Sequence, residues 1–198
     1  MNENIITCVK YHPNFITNPT ELYEKFLYNF DFKDRVVKLN NNKEYKLTRA
    51  TCVFGDPDIL DVPPKIWGSD NSIKQWTPEL LEIKNKIEEL TGNKYNICLC
   101  NYYKNGKKII NWHSDNEELG STSCIASISL GADRIFQLRE KTGSDKIYDY
   151  ILENGSLFLM LDGCQENYLH RVPKDPNCQN GRINLTFRQF DKKRYETS

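Results

Sequence analysis

The sequence predicts an α+β chain that is mainly β, with a double-stranded β-helix (jelly roll) core and N-terminal packing helices. Two observations carry this. From about Tyr95 onward, eight short segments rich in β-branched and aromatic residues (95–103, 107–115, 123–130, 134–139, 147–152, 156–161, 168–172 and 182–188) recur at regular spacing between turn signals. Upstream, two stretches carry helix caps followed by apolar residues at helical spacing. A length of 198 residues with 38% hydrophobic content suits one core, and no repeat or low-complexity linker divides it. One domain over 1–198 is expected, with residues 35–94 as an N-terminal extension and 95–190 as the jelly-roll core.

In chain order, Asn18 can cap a first helix, with Pro19 at its first position, Glu21 three after the cap, and Leu22, Phe26, Leu27 and Phe30 on the packing face. Residues 35–39 and 44–47 flank Asn40-Asn41-Asn42-Lys43 and read as a hairpin, and 55–70 is a loop rich in Pro and Asp. Thr77 caps a second helix that starts at Pro78, buries Leu80, Ile83, Ile87 and Leu90, and stops at Gly92.

Composition narrows the function. Charges balance at 27 basic against 27 acidic, so no overall field favours non-specific binding to nucleic acid. Any such contact must be local, and the candidates are Lys104, Lys107 and Lys108, then Arg134, Arg139 and Lys141, then Lys192, Lys193 and Arg194. Seven cysteines without a C-x-x-C, mostly within apolar stretches, read as reduced packing residues rather than disulfides or a zinc ribbon. No apolar run is long enough to span a bilayer and Met1-Asn2-Glu3-Asn4 does not begin a secretory signal, so the expected place is intracellular, nucleus or cytoplasm undecided, with no membrane partner. A monomer is expected.

The segment Arg182-Ile183-Asn184-Leu185-Thr186-Phe187-Arg188 alternates polar and apolar residues without a slip. In a strand this puts Arg182, Asn184, Thr186 and Arg188 on one face and Ile183, Leu185 and Phe187 on the other. A solvated face would give the same alternation. With 8 Arg, 21 Asn and 11 Thr in the chain, R-x-N-x-T-x-R should nevertheless arise by chance only about twice in a thousand such chains. Two guanidiniums aimed the same way from a packed strand call for an anion with two ends, such as a small dicarboxylate.

In Trp112-His113-Ser114-Asp115, the strand period puts His113 and Asp115 on one face, close enough to share an ion. That pair alone is weak, and His170, another strand residue 12 before Arg182, is weak alone as well. Together, two His and one carboxylate make the facial triad that holds non-heme Fe(II) and leaves coordination positions open. A 2-oxo acid can fill two of those and O2 the third, with the remote carboxylate clamped by the Arg face of the last strand.

The order H-x-D, distant His, then R-x-N-x-T-x-R resembles the AlkB family of Fe(II)- and 2-oxoglutarate-dependent dioxygenases, nearest its nucleic-acid repair branch. Asn101-Tyr102-Tyr103, Cys124 to Gly131, and Gly155-Ser156-Leu157 with Met160 are similar to further family segments. So are Arg49-Ala50-Thr51 and Phe54-Gly55-Asp56, which lead into the substrate loops, so that the likeness covers roughly residues 35–190. The resemblance implies Fe(II) ligation by His113, Asp115 and His170. It implies 2-oxoglutarate binding by Asn101, Tyr103, Arg182, Asn184, Thr186 and Arg188, with Arg182 at the remote carboxylate and Arg188 at the metal-chelated end. It implies base recognition by Glu117, with Asn116 beside it and Arg49 nearby, and His113 as one wall for a flipped base.

The implied reaction is oxidative removal of N-alkyl groups from nucleic-acid bases, in DNA repair, releasing formaldehyde, succinate and CO2. The partner would be alkylated DNA or RNA, taken as a single strand by preference, because 40–43 carries no apolar wedge to open a duplex. The chain departs from the family at Lys65-Ile66-Trp67-Gly68, where Trp67 is the candidate second stacking wall. Two rivals stand beside this: an oxygenase of the same fold that acts on RNA marks or protein side chains, and an inactive metal-binding jelly-roll module.

Overall fold

The structure, a computed structural model, describes residues 6–38, 44–62, 72–115, 120–143 and 145–196. The strands are β1 (Val9–His12), β2 (Lys33–Lys38), β3 (Glu44–Gly55), β4 (Ile73–Gln75), β5 (Ile97–Tyr103), β6 (Ile110–His113), β7 (Gly120–Gly131), β8 (Arg134–Glu140), β9 (Ile147–Leu152), β10 (Leu157–Leu161), β11 (Tyr168–Val172) and β12 (Arg182–Phe190). The helices are α1 (Pro19–Asn29), α2 (Pro78–Thr91) and two short pieces, α3 (Cys164–Asn167) and α4 (Lys192–Glu196).

Two sheets face each other. The larger runs β1-β10-β7-β12-β5-β3-β2, with β4 added in parallel to β3, and the smaller runs β6-β11-β8-β9. The expected class, mainly β with a jelly-roll core and few helices, is what the chain adopts. The eight foreseen segments all contain strands, and their ends shift by a few residues at most. β3 is longer than the hairpin arm read at 44–47, because from Ala50 to Gly55 it pairs with β5. β1 and β4 were not foreseen; at four and three residues each is too short for its periodicity to stand out.

β12 lies at the centre of the large sheet, between β7 and β5, and its two faces enter different cores. Ile183, Leu185 and Phe187 pack with Phe26 and Phe30 of the α1 segment and Leu80, Ile83 and Ile87 of α2. The other face looks into the space between the sheets, where Tyr103, Ile125, Phe158 and Met160 of the large sheet meet Phe136, Leu138 and Val172 of the small one. Arg182, Asn184, Thr186 and Arg188 are each at most 8% exposed, so the alternation does not mark a solvated face.

The helices behave largely as their spacing predicts, with three corrections. Asn18 makes no side-chain cap bond to α1, so Pro19 and the core contacts start that helix without it. Leu27 and Leu90, expected on packing faces, are exposed. In α2, by contrast, Thr77 Oγ1 accepts from Leu80 N at 3.3 Å and Gly92 ends the helix at φ 71°. Removing that cap with Thr77→Ala should cost about 1 kcal/mol. A urea unfolding curve with an unshifted midpoint would show that the bond contributes nothing.

Candidate active site

Strand pairing brings the two histidines together. β6 and β11 run antiparallel with His113 directly opposite His170, and the rings sit 4.2 Å apart, centroid to centroid. Asp115 follows two residues after the end of β6 and reaches both: His113 Nε2 lies 3.7 Å from its Oδ1, and His170 Nε2 lies 3.7 Å from its Oδ2. One ligand atom from each of the three residues falls within 4.8 Å of the others, and this is the one such cluster of His, Cys, Asp or Glu among the described residues.

The donor atoms are in the right state for a cation. His113 Nδ1 is 2.8 Å from the Asn111 carbonyl oxygen, which can only accept, so Nδ1 carries a proton and Nε2 is the ring nitrogen turned toward Asp115. Burial drives the His170 imidazole down to about 4, against the pull of Asp115, so it is neutral at ordinary pH. Burial alone would raise Asp115; Arg188, His170 and His113 outweigh it and hold the carboxyl at about 2. Arg188 Nη2 stands 3.0 Å from Asp115 Oδ2. Two imidazoles and one carboxylate fit Fe(II), which takes N and O donors and keeps room for further ligands in this arrangement.

A second feature lies on the same inward face of β12. The Arg182 guanidinium is fully buried, donates from Nη2 to Ser129 Oγ at 2.9 Å, and lies 5.4 Å from the Tyr103 ring. Its Nε and Nη1 have no hydrogen-bond partner among the described residues. Burial lowers its pKa to about 10, which leaves it a cation near neutrality. A buried cation with two unmet donors is costly unless an anion meets it, so this position fits the remote carboxylate of a small dicarboxylate.

The other anticipated residues line the same interior. Asn184 and Asn101 are direct cross-strand partners, as are Arg182 and Tyr103. Asn101 Oδ1 accepts from Arg49 Nε at 2.6 Å, which ties Arg49 to this group. Asn184 donates to Ser127 Oγ at 2.7 Å and to the Ile128 carbonyl at 3.1 Å, and its Oδ1 accepts from Thr186 Oγ1 at 3.0 Å. Trp67, Asn116 and Glu117, and the 40–43 tip, lie outside the described residues.

A family model described as the 2OG-Fe(II) oxygenase superfamily matches residues 13–188. The chain belongs to that superfamily. That superfamily works with Fe(II), 2-oxoglutarate and O2, and the expected AlkB kinship is found among the chain's relatives. The chain is 44% identical over 122 residues to alpha-ketoglutarate-dependent dioxygenase alkB homolog 3 of Bos taurus, covering 57% of this chain and 43% of that protein. It is 36% identical over 156 residues to DNA oxidative demethylase ALKBH2 of Mus musculus, covering 75% and 64%. The match thus spans less than two thirds of either relative. Among solved structures, that of OsALKBH1 superposes with a TM-score of 0.61 at 19% identity, over 94% of this chain and all of the other, and shows the shared fold.

Several residues of the candidate site escape a reading of the sequence. Ser127 and Ser129 take the hydrogen bonds of Asn184 and Arg182; their signal is a pair of serines two apart in the otherwise apolar stretch 124–130 of β7. Arg134, grouped with possible nucleic-acid contacts, is instead buried: it bonds the carbonyls of Asn105, Lys108 and Pro173 and lies 5.9 Å from the Tyr103 ring. Its exposure could not be read from a lone Arg at the start of a strand. Gln165 accepts from the Asp115 amide and carries no local signal at all.

The His170 shift has a pH signature in the metal-free protein. With a folded value of about 4 against 6.5 for an ordinary imidazole, the unfolded chain takes up this proton first as pH falls. His170 should therefore remove stability between about pH 6.5 and 4, and His170→Gln should flatten that part of the curve. Urea midpoints measured from pH 7 to 4.5 check this, and equal slopes for both proteins would refute it.

Proposed function

We propose that the chain is an Fe(II)- and 2-oxoglutarate-dependent demethylase that removes N-alkyl groups from nucleic-acid bases, with alkylated DNA as substrate and single strands preferred. The observation that carries the chemistry is the placement of two imidazoles and one carboxylate beside a buried, partly unsatisfied guanidinium, all between the same two sheets. Kinship with a protein named DNA oxidative demethylase supports the substrate class.

In this reading His113, Asp115 and His170 hold Fe(II). When bound, the metal with 2-oxoglutarate and O2 supplies the oxidation that turns an N-methyl into an N-hydroxymethyl group, with succinate and CO2 as co-products; the hydroxymethyl then leaves as formaldehyde. The chain's own residues bind and orient. Arg182 takes the remote carboxylate with Tyr103 and Asn101 beside it, and Arg188, already on Asp115, serves the end nearest the metal. Asn184 and Thr186 have committed hydrogen bonds to the floor and to each other, so they shape the cavity more than they grip its contents. Arg49, Asn116, Glu117 and Trp67 are assigned to the extruded base, which stacks on His113. A lesion that already blocks pairing lowers the cost of extrusion by a few kcal/mol, which favours damaged bases.

The test is anaerobic loading with Fe(II) and 2-oxoglutarate, then air and a single-stranded oligonucleotide with or without one N-methylated base. Formaldehyde and succinate in equal amounts, dependent on the methyl group, are expected. Succinate at an unchanged rate without the methyl would sink the demethylase reading, and a methylated peptide as sole productive substrate would replace it with a protein oxygenase. For the clamp, Arg182→Ala should weaken 2-oxoglutarate binding at least tenfold, since a charge-assisted contact of about 1.5–3 kcal/mol is lost. Calorimetric titration of the Mn(II)-loaded protein reads this, and an unaltered affinity would take Arg182 out of the co-substrate site.

A further inference from the structure

We propose that Gln165 is a positioning residue for the metal site: its side-chain amide holds the backbone of Asp115 where the strand that carries His113 has already ended. The inference rests on reading His113, Asp115 and His170 as metal ligands.

β6 is four residues long and stops at His113, which is also its last position paired with β11. Asp115 lies two residues further on, beyond the ladder that fixes the histidines. Its amide N–H donates instead to Gln165 Oε1, at 2.8 Å. Gln165 is buried, and its other end is spoken for: Nε2 lies 3.2 Å from Met160 Sδ, a weak acceptor. That contact settles the orientation of the amide, because the reverse would set its NH2 group against the Asp115 N–H. The main-chain carbonyl of Gln165 accepts from Lys141 Nζ at 2.7 Å.

Gln165 sits in α3, the short link between β10 of the large sheet and β11, which bears His170. The side chain therefore ties the carboxylate arm of the triad to the element that delivers its second imidazole arm. Arg188 holds the carboxylate of Asp115 from β12, and Gln165 holds its main chain from α3. Two points of attachment on opposite ends of one residue fix its direction as well as its place, which neither contact does alone. Groups that orient a ligand in this way typically change metal affinity by about 10- to 100-fold when removed.

The experiment uses the full chain stripped of metal and titrated with Mn(II) by calorimetry under argon. Gln165→Met keeps the volume and loses the acceptor; Gln165→Asn keeps an amide one methylene too short; Gln165→Glu keeps an acceptor at the original reach. The Met and Asn variants should bind Mn(II) at least tenfold more weakly, and the Glu variant should stay within about threefold of the unsubstituted protein or bind more tightly. Circular dichroism melts run in parallel. If Met does not fold, Asn decides. A lowered melting temperature with Mn(II) affinity reduced less than tenfold in the folded variants would overturn the proposal, because it would make Gln165 a packing residue only. If the unsubstituted protein fails to bind Mn(II), the ligand reading itself falls, which is a separate outcome.

Discussion

The carboxylate of Asp115 is the constraint on which the rest of the site depends. Burial opposes its charge, and Arg188 beside it, with the two imidazoles, holds the carboxyl low in spite of that. Arg188 meets the carboxylate at 3.0 Å, and burial of His170 outweighs the pull of that carboxylate on its imidazole. A divalent ion would join an arrangement whose anionic member is already formed.

The two sheets divide the labour. The small sheet supplies the imidazoles from adjacent strands, and the central strand of the large sheet supplies the guanidiniums. β12 can do this because its opposite face is anchored beneath α1 and α2 by Ile183, Leu185 and Phe187. The helices thus act on the site without touching it: they hold the back of the strand whose front carries Arg182 and Arg188. Arg134 gives the loops a similar fixed point, since one buried guanidinium bonds the turn after β5 and the chain beyond β11.

Much of this was legible in the chain. The alternation across 182–188 pointed to a strand with a polar face, and H-x-D with a distant His pointed to the cluster of His113, Asp115 and His170, because each is a pattern of side-chain chemistry on strands with a period of two. The fold class followed from turn spacing for the same reason. What stayed hidden is long-range or short. Gln165 meets Asp115 across 50 residues, and Ser129 meets Arg182 across 53, with no periodicity to announce either. β1 and β4 exist because a neighbouring edge offers unpaired backbone, which no property of their own few residues reveals. Asn18 shows the converse: a good capping residue stood in the right place, and the packing of the helix made its bond dispensable.

The three ligand side chains are unequally covered, at 31% exposure for His113, 11% for Asp115 and 5% for His170. The cluster consequently has a back wall and a doorway, and the doorway is on the His113 side. A guest far larger than the interior could be served from there, because it need present only a single unit at the threshold while the remainder stays in solvent. Such an opening sets no upper limit on the length of what is attached to the part that enters.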